Sequence, residues 1–349
     1  MKKRLVRLTL AAVAALAWHA PARAADDTLL TIEKKTIKGA VKSMSKTEVT
    51  IEKAGGEAVT VKVTEIDTLK FAEEKPYVNA ARAQINKGEY HKALDQLGKS
   101  KDDKVERDAV KQEVQYLHAL CNARLALGGE ADVPEAGTEM RAFVKAHSDS
   151  YHFLPASELL GELLVAAEKY KEAIEVYKVL ADSPFEEYKI RAGIVTGRAL
   201  IAEKKFDEAL KAFEAAFELA SRAGGAAAEV QRQAATLGKA ACLAETGKPD
   251  DAIQLIDGVI AKLPAEEEEL HARAFVTKGN CYRKKPGNVI PAIMEFLKVD
   301  LLYSSIPQCH AEALWNLSTL WPEYGKPERA GQDAQKLKDR YPNSPWAKL

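Results

Sequence analysis

The sequence predicts a mainly α chain: a solenoid of about seven stacked helix pairs, preceded by a small antiparallel β-barrel or meander. Three observations lead there. A small residue, a turn, an Ala and a large apolar residue recur as a block: Gly161 with Ala173-Ile174 and Tyr177, Gly197 with Ala209-Leu210 and Phe213, Gly247 with Ala252-Ile253 and Ile256, Gly279 with Ala292-Ile293 and Phe296. Such self-similarity marks units that bury their apolar faces by stacking. The apolar period is two up to about Phe71 and helical from Tyr77 onward, which separates strands from helices. Between the two regimes lies Glu73-Glu74-Lys75-Pro76; Pro76 disfavours helix at Lys75 and suits the first turn of a new one. The expected segments are 1–24, 25–74 and 76–349.

Residues 1–24 have the layout of a secretory signal. Lys2, Lys3, Arg4 and Arg7 make a basic start, Leu8 to Trp18 is an apolar run, and Ala22-Arg23-Ala24 fits the small-x-small cleavage rule. A retained membrane anchor is the alternative, but a span needs roughly twenty apolar residues. Removing five basic residues and no acidic one leaves 46 Lys and Arg against 51 Asp and Glu. A mildly acidic, exported chain is a poor binder of nucleic acid, which calls for a basic stripe. No Cys follows the apolar run, which argues against a lipid anchor.

From 25 to 74 the pattern is that of short strands. Thr36 to Ser43 alternates around Gly39, Val49 and Ile51 alternate with Thr50 and Glu52, and Val59, Val61 and Val63 follow the flexible Ala54-Gly55-Gly56-Glu57. Alternating β-branched residues separated by glycine argue for antiparallel hairpins, with Gly39 as a bend. A turn is expected at Glu65–Asp67 before Leu69 and Phe71 close the pattern. The block resembles the SH3-like or Sm-like small barrels in strand order alone. A domain this small buries little of its surface and is expected to lean on the helices that follow.

The helical part carries a more specific signature. Gly88-Glu89-Tyr90-His91-Lys92-Ala93, Lys169 to Ile174 and Lys205 to Leu210 repeat one turn-and-helix pattern, as do Gly247 to Ala252 and Gly325 to Ala330 with Pro in place of the aromatic. These blocks resemble the tetratricopeptide repeat. The matching alanines Ala93, Ala173, Ala209, Ala252, Ala292 and Ala330 leave one long gap, filled by a weaker copy with Gly128-Gly129 and Ala136. Glycine is missing from the turns before Tyr170 and Phe206. The resemblance implies a right-handed superhelix, in which small residues bring two helices close and Tyr177, Phe213 and Phe296 fill the gap to the next pair. The ending Arg340-Tyr341-Pro342-Asn343-Ser344-Pro345 resembles that of bacterial envelope members.

Four cysteines, Cys121, Cys242, Cys281 and Cys309, occur in an exported chain where disulfides would be stable. Equivalent slots of neighbouring repeats lie about 10 Å apart, whereas a disulfide needs Cα atoms within about 7 Å; the cysteines are read as packing residues. His118 with Cys121 and Cys309 with His310 do not add up to a structural zinc site. No nucleophile elbow, zinc-protease pair or phosphate loop is present, and Glu266 to Glu269 reads as the acidic start of a helix. Catalytic, metal and cofactor-binding residues are therefore assigned to none.

If the family's groove rule holds, the first helix of each pair lines the inner surface. That register points Arg191, Ile194 and Arg198 inward, then Arg273, Val276, Asn280 and Arg283, then Glu312, Trp315 and Thr319. The arginines and Asn280 would hold a carboxylate or an extended peptide backbone, with Trp315 as an apolar anchor. Their alternative role is as solvated surface or intrahelical ion pairs. The expected function is a non-enzymatic scaffold or adaptor for a protein or peptide partner in the bacterial cell envelope; the chain is expected to be exported, to the periplasm first, with an extracellular location as the alternative. The alternative is an architectural component that forms homo-oligomers through its terminal repeats, suggested by Trp346 and the apolar end 345–349.

Overall fold

A computed structural model describes residues 26–102 and 107–349; the expected signal segment lies outside the described residues. Five antiparallel strands come first: β1 (Asp27–Thr31), β2 (Thr36–Met44), β3 (Glu48–Glu52), β4 (Ala58–Lys62) and β5 (Ile66–Lys70), in the sheet order β4-β3-β2-β1-β5. Residues Thr36 to Gly39 of β2 pair with β1, and Ala40 to Met44 pair with β3. Gly39 sits at that change of partner, and a Cβ there would overlap the carbonyl oxygen of Glu52. The sheet thus bends around one core of Leu29, Val49, Ile51, Val61, Leu69 and Phe71. The turn expected at Glu65–Asp67 falls earlier, as a 310 turn over Val63–Glu65, and Asp67 belongs to β5.

Fourteen α-helices follow among the described residues, as seven consecutive pairs. They are α1 (Pro76–Ile85) with α2 (Tyr90–Leu97), α3 (Asp108–Leu127) with α4 (Val133–Ala146), and α5 (Phe153–Ala166) with α6 (Tyr170–Ala181). Next come α7 (Glu186–Ala202) with α8 (Phe206–Ala223) and α9 (Gly225–Glu245) with α10 (Pro249–Ile260). Last are α11 (Glu268–Arg283) with α12 (Val289–Leu302) and α13 (Pro307–Glu323) with α14 (Pro327–Arg340). Proline opens α1, α10, α13 and α14, where its missing N–H leaves no intrahelical bond unmade.

One backbone device joins the helices of every pair. A residue in the left-handed region ends each first helix: Gly88, Gly129, Glu168, Lys204, Gly247, Gly287 and Gly325. At Lys204 the next amide, that of Lys205, returns to the carbonyl of Leu200 at 2.8 Å, and Lys169 returns to Leu164 in the same way, the bond pattern of a Schellman cap. The two turns without glycine therefore keep the conformation and accept the steric cost of a Cβ.

The glycines in the middle of the first helices have a different purpose. A Cβ at Gly161 would fall inside the ring of Tyr177, one at Gly197 would lie 2.7 Å from Phe213, and one at Gly279 would lie 2.6 Å from Phe296. Each ring therefore sits over the glycine of its own pair, and it also shares a core with the next pair, as expected: Tyr177 with Val195 and Ala199 of α7, Phe296 with Ala313 and Leu317 of α13. Phe213 does both, since a Cβ at Gly238 of α9 would also fall in its ring. The four cysteines are buried and unpaired, and burial pushes the thiol of Cys121 up to about 12 and that of Cys242 up to about 11.

The sheet leans on the helices, as expected, but at specific places. Val110 of α3 and Tyr151 from the α4–α5 connection enter the β core. Two buried polar nodes fix the contact. Asp27 takes both guanidinium nitrogens of Arg107 at 2.7 and 2.8 Å and the amides of Val41 and Ala72. Arg82 of α1 donates to Glu74 at 2.6 Å, to Glu113 at 2.8 Å and to the carbonyl of Leu69 at 3.1 Å.

Candidate binding groove

Consecutive first helices touch one another, α3 with α5, then α7, α9, α11 and α13 in turn, so they form the inner wall. A first helix is long enough to show one row of side chains to that wall. The register is set by the packed glycines: the residue after each one stands at the same level, Glu162 after Gly161, Arg198 after Gly197 and Asn280 after Gly279.

Most polar residues of the wall are already paired. Arg191 forms a bidentate pair with Glu158 of the preceding first helix, and its guanidinium lies 4.7 Å from the centre of the Tyr188 ring. Arg124 approaches Glu162 at 3.7 Å. Arg273 bonds Glu269 one turn earlier at 2.9 Å. Asn280 donates to Glu312 at 2.9 Å, and Arg283 donates to Asn316 while covering the ring of Trp315 at 5.2 Å. These contacts join α3 to α5, α5 to α7, and α11 to α13.

Arg198 differs. Among the described residues it has no hydrogen-bond or ion-pair partner. Burial, and then the guanidinium of Arg273, push its pKa down to about 10, against opposite pulls from Glu269 and Glu162. Arg124, Arg191 and Arg273 each meet a glutamate and Arg283 meets Asn316, so of these five arginines Arg198 is the one with no hydrogen-bond or ion-pair partner among the described residues. Burial raises the pKa of Glu162, which also feels the charges of Arg124 on α3 and Glu269 on α11. Glu162 of α5 and Glu269 of α11, three pairs apart, are thus in electrostatic reach.

The structure brings Arg198 and Arg273 into mutual reach and places Asn280 and Arg283 together against α13. Arg191 lies in a separate pair with α5. Trp315 stands apart from the apolar anchor expected of it: its ring packs on Trp346 of the C-terminal turn at 5.1 Å between centroids. Ile194 and Val276 are buried core rather than groove, and Thr319 donates to its own helix. Glu158, Glu162, Arg124 and Asn316 went unnoticed in the sequence, and Glu269 passed for a mere helix start. The position after a packed glycine would have found Glu162. The others depend on pairings between separate helices.

Among the described residues, no group of three or more His, Cys, Asp or Glu is placed to hold a metal ion, and no helix is long and apolar enough to cross a membrane. His118 instead contacts Glu139 at 2.6 Å. His310 is fully buried between Tyr341 and Asp300, both at 2.7 Å, and ties α12, α13 and the C-terminal segment together.

Residues 195–267 match the sequence profile of the tetratricopeptide repeat. No curated protein matches the chain. Among solved structures, a tetratricopeptide repeat protein from Parabacteroides merdae is similar at a TM-score of 0.50 and 15% identity, over 76% of this chain and 91% of that one. The apo form of RapI is similar at 0.52 and 11% identity, over 78% and 96%. NprR in complex with its cognate peptide NprX is similar at 0.50 and 14% identity, over 75% and 77%. At these identities the likeness is one of fold. The helical part is a tetratricopeptide-type solenoid, and its central stretch carries the sequence of the repeat itself.

Proposed function

We propose that the chain is a non-enzymatic scaffold that holds an extended segment of a protein or peptide partner against its inner wall, with Arg198 receiving a carboxylate of that segment. The observation that carries this reading is the unmatched guanidinium of Arg198 in a wall whose other arginines are engaged. An anion there would gain a charge-assisted bond from a donor that lacks one, in surroundings poor in water. That a solenoid of this fold can hold a peptide is supported by NprR, solved with NprX bound. The bacterial envelope is proposed as the site of action from the basic start, apolar run and small-x-small end of residues 1–24.

Capture from an envelope extract with the chain lacking residues 1–24 tests this. A stoichiometric partner should be recovered, and Arg198→Glu should weaken it at least tenfold, while Arg141→Glu on an exposed second helix should not. Recovery of no partner by the unaltered chain sinks the reading.

A second reading, a self-associating architectural component, draws support from a different place than the sequence suggested. Trp346 is occupied within the chain, but Ile290 and Met294 on the outer face of α12, with Leu301 and Leu302 at its end, are 52 to 73% exposed. A clean monomer mass across concentration, measured by light scattering, would eliminate it.

A further inference from the structure

Two stretches conspicuous in the sequence, Gly128-Gly129 and the closing segment 341–345, meet in space although five helix pairs separate them in the chain. The amide of Asn343 donates to the carbonyl of Gly129 at 2.9 Å. A Cβ on Gly129 would lie 3.0 Å from Cβ and N of Ser344, and one on Gly128 would lie 3.4 Å from Cβ of Pro307. The seventh pair therefore touches the second, and the inner wall closes on itself.

This seam differs from every junction between neighbouring pairs. The apolar cluster of the first pairs extends from α1 to α7 and includes Leu127 and Val133 beside the seam, but no residue of α13, α14 or the tail. The cluster on the other side, Leu314, Leu337, Tyr341, Trp315 and Trp346, includes nothing from α3 or α4. Neighbouring pairs are welded by shared apolar side chains; among the described residues the seam is held by one backbone hydrogen bond, from Asn343 to Gly129, and close van der Waals fit. A single hydrogen bond exchanged with water adds little net stability, while solenoids deform by small rotations summed over many repeats. A junction that weak, set against an elastic array, opens without unfolding anything.

We propose that residues 342–346 are a reversible latch that switches the array between a closed ring and an open cleft. The consequence for binding rests on the scaffold reading above: a closed ring admits only a free chain end, whereas an open one takes in an internal segment from the side. Gly129 suits the latch by the space Ser344 takes beside it, where a side chain would collide.

The test needs no partner, so its outcome is independent of the scaffold reading. The double variant Gly128→Cys, Pro307→Cys places two thiols near the Cβ spacing of a disulfide, while the four native thiols are buried. Mild oxidation of the full chain should cross-link it readily. In the same background, Ser344→Lys, and separately a chain ending at Pro342, should slow cross-linking at least tenfold with the far-ultraviolet circular dichroism unchanged. Absence of cross-linking in the double variant overturns the closure. A rate unchanged by both tail alterations overturns the latch, and comparing two unrelated alterations guards against one that merely misfolds.

Discussion

Removal of Glu113 should be costly, because it is a buried carboxylate with several partners. It lies 3% exposed on α3 and accepts four hydrogen bonds: from Arg82 Nε at 3.2 Å and Nη2 at 2.8 Å, from Tyr151 at 2.6 Å, and from His152 Nε2 at 2.8 Å. Burial alone would favour its neutral acid, but His152, Arg82 and Tyr151 overcome this and hold its pKa down at about 2, against an ordinary value of 4.5. Because the folded pKa lies below the unfolded one, the stabilisation is fully present above pH 4.5 and is lost as pH falls through about 2. Two and a half pKa units correspond to roughly 3 kcal/mol. Glu113→Gln keeps the shape but leaves Arg82 and His152 facing a neutral amide, a change expected to cost about 3–5 kcal/mol. Since Arg82 also holds Glu74 and Leu69, the loss should be felt first where the sheet meets the helices. Hydrogen exchange of β1 and β5 amides, measured from pH 7 down to about pH 2, reads it: the unaltered chain should keep its protection to about pH 4.5 and lose it below, and the variant should be unprotected throughout and flat with pH. Equal protection in both proteins would refute the reasoning.

Three further outcomes are expected. Gly161→Ala drives a methyl group into the ring of Tyr177 and should destabilise by about 1–3 kcal/mol; Tyr177→Leu in the same chain should recover part of that loss, read by urea unfolding. Lys204→Gly and Glu168→Gly relieve left-handed strain of about 1 kcal/mol each, partly offset by about 0.4–1 kcal/mol from a more flexible unfolded chain. The double variant should melt no lower than the parent, and a drop of several degrees would contradict the turn assignment. Asp300, which accepts from His310 and is paired with Lys336, is held down at about 2, first by the His310 bond, from an ordinary 3.8. Its contribution is present above pH 3.8 and lost below, so Asp300→Asn should remove acid sensitivity from the fluorescence of Trp315 and Trp346, which pack in the adjoining cluster.

The sequence by itself determined the repeating unit. Small residues at Gly161, Gly197 and Gly279 can be read locally because a glycine on an apolar helix face has only one economical explanation, a large neighbour pressed against it. The change of period at Lys75-Pro76 is equally local, since side-chain alternation and proline geometry act within a few residues. Copies that lacked glycine remained recognisable at Tyr170 and Phe206 because the rest of the turn pattern outweighed one strained residue.

Tertiary structure alone decided which polar residues are spoken for. Arg191 and Arg198 sit two helical turns apart on one helix and look alike in sequence, yet Arg191 meets Glu158 of α5 and Arg198 meets no carboxylate. That difference depends on how far each helix is rotated and shifted against the next, a sum of many small packing terms that no single position encodes. Trp346, read as an exposed end, found Trp315; Glu269, read as a helix start, entered the groove. The seam between Gly129 and Asn343 is the extreme case, because the pitch accumulated over five helix pairs decides whether the two ever meet.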